Sequence, residues 1–110
     1  MEPRPKTRLW VSHALRLADI AGRSGAVLRR GDPDSGGILA VLRGRTGLVV
    51  LSQARAADGA AAWIRGTGSM PVDQEGADLY VQRQLKFDPD LWVVEFETPD
   101  LQPPFAAIIL

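Results

Sequence analysis

The chain has 110 residues, no cysteine, and thirteen basic and thirteen acidic residues. A domain of this length buries roughly two-thirds of its unfolded surface, and the lack of cysteine excludes disulfides, thiolate metal sites and a cysteine nucleophile. No apolar run approaches the ~20 residues of a membrane span, and no apolar segment follows the basic start as in a secretion signal, so the sequence predicts a cytoplasmic protein with no membrane partner.

The charges are unevenly distributed along the chain. Residues 1–55 hold ten Lys/Arg and four Asp/Glu, a net charge of +6, and residues 56–110 hold three and nine, a net charge of −6. Such asymmetry can mark an anionic partner for the basic half. The alternative is that the two halves compensate each other within the fold or between copies of the chain.

The first predicted element is a helix that follows a flexible arm, residues 1–8. From Leu9, apolar residues recur at the i, i+3, i+4, i+7 spacing of an amphipathic helix. Thr7 is a candidate cap for its start, and Gly22 suits its end. The apolar stripe consists of Val11, Ala14, Leu15, Ala18 and Ala21.

Four short apolar runs then predict strands. The turns between them contain glycine, proline and aspartate, above all G-D-P-D-S-G-G at residues 31–37. Because these turns are too short for crossover connections, the sequence predicts antiparallel hairpins. The four predicted strands are residues 26–30, 38–42, 48–51 and 61–65.

A second helix and a last strand complete the pattern. Asp73 is a good N-cap, and Pro89 predicts a helix end near Phe87. In the strand that follows, Trp92, Val94 and Phe96 fall on one face. Leu91 and Val93 fall on the other face, so we expect an inner strand that is apolar on both faces.

These elements predict an α+β fold with the order α-β-β-β-β-α-β. We expect a two-layer sandwich, in which a mainly antiparallel sheet of about five strands has both helices on one face. The domain is predicted to span residues 9–98. A Pro-rich break and an apolar tail, residues 99–110, follow it.

The tripeptide D-P-D occurs twice and suggests a cation site. Hard cations bind through carboxylates together with water or phosphate oxygens. The alternative is that an aspartate before proline starts a turn by accepting a hydrogen bond from its own backbone. The residues concerned are Asp32, Asp34, Asp88 and Asp90.

The arginines of the basic half suggest a surface for phosphate contacts. No exposed aromatic residues are interleaved with them for base stacking. A solvated face paired with the acidic half is the alternative, and it makes nucleic acid the less favoured partner. The six arginines are Arg16, Arg23, Arg29, Arg30, Arg43 and Arg45.

The apolar end of the chain suggests a protein contact. A run of this kind left in water usually marks a partner surface. The tail either covers an edge of its own sheet or adds to another chain. The candidate interaction residues are Phe105, Ile108, Ile109 and Leu110.

No pattern predicts catalysis or a cofactor. His13 is the only histidine, so a zinc site would need unusual ligands. No G-x-S-x-G elbow is present for a serine nucleophile. The glycine-rich loop lacks the lysine of a P-loop and carries two carboxylates instead.

Several segments together resemble a known family. They are residues 12–16 (S-H-A-L-R), 26–39 (A-V-L-R-R-G-D-P-D-S-G-G-I-L), Trp63, and 83–95 (R-Q-L-K-F-D-P-D-L-W-V-V-E). This combination resembles a family of short bacterial proteins catalogued as a domain of unknown function, and it spans Arg8–Glu97. The resemblance implies a compact cytoplasmic domain but no activity, ligand or catalytic residue.

Three functional hypotheses follow. The first is a non-catalytic protein-interaction module whose partner is another protein or a second copy. The second is a metal- or small-ligand-binding domain, or an enzyme, that uses the acidic turns. The third is nucleic-acid binding through the arginines.

Overall fold

The computed structural model describes residues 6–110. Its two helices and five strands confirm the α+β class and the predicted order of elements. Most of the predicted arm, residues 1–8, lies outside the described residues. The elements are α1 (Thr7–Ile20), β1 (Gly25–Arg29), β2 (Ile38–Arg43), β3 (Leu48–Arg55), β4 (Ala61–Arg65), α2 (Gln74–Phe87) and β5 (Trp92–Glu97).

The five strands form one sheet in the order β1-β5-β2-β3-β4. The β5 strand is antiparallel to β1 and parallel to β2, where Ile38 pairs with Trp92 and Arg43 with Glu97. The prediction of an inner last strand is therefore confirmed. The predicted hairpin between β1 and β2 is wrong, because β5 inserts between them. Residues 31–37 are long enough to pass over one strand, since neighbouring strands lie only about 4.8 Å apart.

The two helices lie on opposite faces of the sheet. Along β2, Ile38, Ala40 and Leu42 face the side of α1, whereas Leu39 and Val41 face the side of α2. The prediction that both helices cover one face is wrong, and the molecule has three layers. The physical reason is that the inner strands are apolar on both faces, so that each face needs a cover.

An aromatic group closes the α1 side of the core. The ring of Phe105 lies 5.1 Å from Trp10, 5.5 Å from Trp63 and 5.5 Å from Phe96, measured between ring centroids. Trp10 is partly buried against the core, and Trp63 is buried in it. The N-terminal helix, two strands and the tail therefore meet in one cluster.

The helix ends follow the predictions in part. Asp73 caps α2 by accepting a hydrogen bond from the Gly76 N–H at 2.8 Å, and Gly22, with a φ of 73°, follows the end of α1. The predicted cap of α1 is wrong. Thr7 lies inside the first turn, and its hydroxyl donates instead to the Gly36 carbonyl at 2.8 Å, which ties α1 to the first D-P-D turn.

The tail folds back and runs alongside β4. The Trp63 N–H donates to the Ile108 carbonyl, and the Leu110 N–H donates to the Trp63 carbonyl, both at 2.8 Å. Of the two alternatives for the tail, this structure has the self-covering one. The predicted domain boundary at residue 98 stays a prediction. Neither of the two described helices has the length and apolar character to cross a bilayer.

Candidate functional site

The structure brings the two D-P-D turns together at the end of the sheet where β2 and β5 begin. The Asp32 N–H donates to the Asp90 carbonyl at 3.0 Å. The indole Nε1–H of Trp92 donates to the Asp32 carbonyl at 2.7 Å. The contact between the turns therefore uses backbone groups and a buried tryptophan.

The carboxylates of these turns do not converge. Asp32 accepts hydrogen bonds from the Ser35 N–H at 2.8 Å, the Ser35 hydroxyl at 2.9 Å and the Asp34 N–H at 3.2 Å. Asp88 accepts from the Asp90 N–H at 3.0 Å. Within residues 6–110, no three acidic or histidine side chains are placed to hold a metal ion. Asp32 and Asp88 thus accept hydrogen bonds within their own turns, as the alternative interpretation of the motif expects.

The hydrogen bonds within the first turn predict that the pKa of Asp32 is lowered. The Ser35 N–H and hydroxyl, with the Asp34 N–H, lower the pKa of Asp32 below its ordinary value of 3.8. Because the folded pKa is the lower one, the turn contributes stability above the unfolded pKa and loses it as the pH falls through the folded pKa. We expect Ser35→Ala to raise the pKa of Asp32, measured by NMR titration of its carboxyl carbon. An ordinary pKa for Asp32 in the unmodified chain would contradict this account.

A cleft of about 310 Å³ lies beside the turns. One polar group of its lining is already hydrogen-bonded, since the Gln53 side-chain carbonyl accepts from the Ile38 N–H at 2.8 Å. Phe87 lies on its rim with 86% of the residue exposed. The cleft contains no histidine, lysine or arginine, so it offers no general base beyond one aspartate. Its lining is Gly37, Ile38, Leu39, Ser52, Gln53, Gln84, Phe87, Asp88 and Leu91.

A second groove of about 210 Å³ separates α2 from β5 and β1. Its floor is apolar, with Val41, Val81 and Val93. Glu95, which lines the groove, pairs with the guanidinium of Arg43 at 2.8 Å. Because the two charges compensate each other, neither Arg43 nor Glu95 offers an unpaired charge to a ligand in the groove.

The candidate arginines are partly engaged inside the domain. Arg29 donates to the Leu91 carbonyl at 2.8 Å, and Arg30 lies over the Trp92 ring at 5.6 Å. Arg43 is held by Glu95. Phosphate contacts would therefore depend mainly on the other three, Arg16, Arg23 and Arg45.

The structure divides the four tail residues between the core and the surface. Phe105 is only 7% exposed and belongs to the aromatic group. Ile109 is partly buried and packs on the same cluster. Ile108 and Leu110 are 52% and 56% exposed. Side chains alternate along an extended segment, so these two point to the α2 side of the sheet.

Two further exposed apolar residues lie on that side. Ile64, which follows Trp63 in β4, is 41% exposed. Because Trp63 pairs with Ile109 in parallel orientation, Ile64 lies next to Leu110 of the tail. Its partner in β3, Ser52, lines the same cleft as Phe87. We call Ile64, Phe87, Ile108 and Leu110 the apolar surface. The sequence patterns do not single out Ile64 and Phe87, because Ile64 belongs to a predicted strand and Phe87 marks a predicted helix end.

Comparison with known proteins identifies relatives of this chain. The model of the family described as "Protein of unknown function (DUF1491)" matches residues 6–106. The crystal structure of a DUF1491 family protein from Caulobacter crescentus CB15 is similar, with a TM-score of 0.85, 28% identity, and coverage of 97% of this chain and 100% of that chain. No curated protein matches the sequence.

Two structures determined in solution are also similar. An NMR structure of a DUF1491 family protein from Caulobacter crescentus CB15 has a TM-score of 0.83 and 27% identity, and 99% of each chain is covered. A protein from A. tumefaciens has a TM-score of 0.79 and 24% identity, and 98% of each chain is covered. The second likeness concerns the fold alone.

Proposed function

The chain belongs to the DUF1491 family of proteins of unknown function, and we propose that it is a non-catalytic protein-interaction module of the bacterial cytoplasm. The apolar surface carries this proposal. It comprises an exposed aromatic residue at the end of α2 and three exposed aliphatic residues at the β4 edge; Ser52, the β3 partner of Ile64, lines the cleft that Phe87 borders. Exposed apolar residues that are grouped in this way mark protein-interaction sites, whereas single ones are ordinary.

The free energy gained by burying exposed apolar side chains supports a binding role. Burying one large apolar side chain contributes roughly 1.5–3 kcal/mol. Phe87, which is 86% exposed, leaves most of that free energy available to a partner. Aromatic residues near the centre of an interface are frequently those whose removal weakens binding most.

The other hypotheses have less support. The side chains of Asp32 and Asp88 are engaged in their own turns, Asp34 lies 3.6 Å from the Lys6 ammonium, and three of the six arginines are held by groups of the domain. His13 is exposed on α1, with no second histidine in the sequence to complete a metal site. The residues of the apolar surface, in contrast, are 41% to 86% exposed, so that burial within the domain does not explain their apolar character.

The proposal predicts that polar substitution of the apolar surface weakens partner capture. We expect Phe87→Ser combined with Ile64→Ser to reduce capture of the partner at least about tenfold, since two buried apolar contacts are lost. The measurement is affinity capture from lysate of the source cell, followed by quantitative mass spectrometry.

A matched control removes exposed apolar area elsewhere. Ile20, at the end of α1, is 75% exposed, and we expect Ile20→Ser to leave capture unchanged. Circular dichroism and urea denaturation would verify that all variants are folded. Equal capture by the double variant and the unmodified chain would overturn the proposal.

A further inference from the structure

We propose that the groove between α2 and the strands β5 and β1 binds a small monocarboxylate with an apolar chain of about six carbons, of which hexanoate is the simplest example. The groove shares no residue with the apolar surface, so ligand binding in it is independent of the proposed function. Two features point to this ligand: a partly buried cation without an acidic partner, and an apolar floor beside it.

Arg29 supplies the cation. Its side chain lines the groove, and its Nη1–H donates to the Leu91 carbonyl at 2.8 Å in a partly buried contact. Among residues 6–110 it forms no ion pair with a carboxylate. A guanidinium has five N–H groups, so the edge formed by Nε and Nη2 keeps its donors for a ligand. Two parallel N–H groups in this arrangement match the two oxygens of one carboxylate.

The two acidic residues of the groove are engaged in a separate network. Glu95 pairs with Arg43 at 2.8 Å. Asp78 accepts a hydrogen bond from the Gln74 side-chain amide at 2.9 Å, and the carbonyl of that amide accepts in turn from Arg43. These contacts hold both carboxylates at the end of the groove where α2 begins.

An apolar floor separates this network from the cation. Arg29 is anchored at Leu91, and Glu95 lies four residues further along the chain, roughly 13 Å in extended backbone. Val93 lies between these two positions, and Val81 of α2 also lines the groove. A carboxylate bound to Arg29 would therefore place its alkyl chain over Val93 and against Val81. The charge and the apolar chain of the ligand each have a matching part of the groove.

The size and charge of the groove restrict the ligand further. The groove has a volume of about 210 Å³, and an apolar cavity of about 150 Å³ is large enough for benzene. A carboxylate attached to about six carbons therefore fills it. A single unpaired guanidinium balances one negative charge, whereas a phosphate dianion would bring a second charge towards the carboxylates of Asp78 and Glu95. The geometry thus favours a monocarboxylate over a phosphorylated ligand.

The test separates the charge of the ligand from its apolar chain. Hexanoate and the neutral hexanamide are titrated into the ¹⁵N-labelled unmodified chain at neutral pH, and amide resonances are followed by NMR. We expect hexanoate to shift the resonances of groove residues, among them Val81 and Val93, with a Kd on the order of 1 mM for a ligand of this size. Hexanamide should bind at least about tenfold more weakly, because it lacks the charge-assisted pair with Arg29.

A matched pair of arginine variants assigns the effect to one side chain. Arg29→Gln should weaken hexanoate binding about tenfold and leave the binding of hexanamide unchanged, since only the charged ligand loses a partner. Arg16 is exposed on α1, on the opposite face of the sheet, and we expect Arg16→Gln to bind hexanoate as the unmodified chain does.

Three outcomes would overturn the assignment. They are equal binding of hexanoate and hexanamide by the unmodified chain, shifts confined to the cleft beside the D-P-D turns, and no shift in the groove at about ten times the expected Kd. The comparison of the two ligands uses the unmodified chain, so it remains decisive even if Arg29→Gln does not fold. The proposed function depends on other residues, Ile64 and Phe87 among them, and its capture experiment is unaffected by the result.

Discussion

Replacing Phe105 by alanine is expected to lower the free energy of unfolding by about 3–5 kcal/mol. Phe105 is 7% exposed, and its ring contacts Trp10, Trp63 and Phe96. The substitution removes a ring that joins the tail to α1 and the sheet, and it leaves a cavity that rigid neighbours fill poorly. Urea denaturation monitored by tryptophan fluorescence measures the loss.

The control for this prediction lies three residues further along the tail. Ile108 is 52% exposed, so Ile108→Ala should cost no more than about 1 kcal/mol, in line with other surface changes. A similar small loss for Phe105→Ala would mean that the tail does not contribute to the core. A large loss makes residues 99–110 a structural part of the domain. A truncation before Phe105 would then test stability as well as binding.

Replacing Gly31 by alanine should cost roughly 3 kcal/mol or more, because it forces the D-P-D turns apart. A Cβ atom at Gly31 would overlap the Asp90 carbonyl oxygen and lie 2.6 Å from the carbonyl carbon of Leu91. Both are backbone atoms, which cannot move aside as a flexible side chain can. The hydrogen bond from the Asp32 N–H to Asp90 would be lost with this contact. The change in unfolding midpoint in urea is the measurement.

Gly59 provides the matched glycine. Its φ is 85°, and a Cβ atom there would meet nothing within 4 Å. Gly59→Ala should therefore cost only the strain of a left-handed backbone, about 1–2 kcal/mol. If the two alanine variants were equally stable, the close approach of the turns would not be a determinant of the fold.

The D-P-D turns acquire a structural explanation from these contacts. The two turns meet through the backbone of Asp32 and Asp90 and through the Trp92 indole. Since β5 must insert between β1 and β2, the turn before each inner strand has to fit against the other. The repeated tripeptide is thereby accounted for without a bound cation.

Two of the four residues of the apolar surface could be predicted from the sequence. Ile108 and Leu110 were predicted from the unusual composition of the tail. Ile64 and Phe87 were not, because their exposure depends on elements distant in sequence. Ile64 is exposed on β4 while α2 packs on β3, and Phe87 is the last residue of α2, at the rim of a cleft. Neither fact has a local signal.

The sequence by itself determined the local elements. The apolar periodicity located both helices, Asp73 specified the start of α2, and the alternation around Trp92 indicated a strand buried on both faces. Each of these depends on neighbours within a few residues. The tertiary structure alone decided that β5 separates β1 from β2, that the helices take opposite faces, and that Phe105 enters the core. The physical reason is that burial requires an apolar face to be covered, and any apolar surface of the right shape can cover it. Periodicity shows which side chains must be buried, and only the packing of the whole chain selects what buries them.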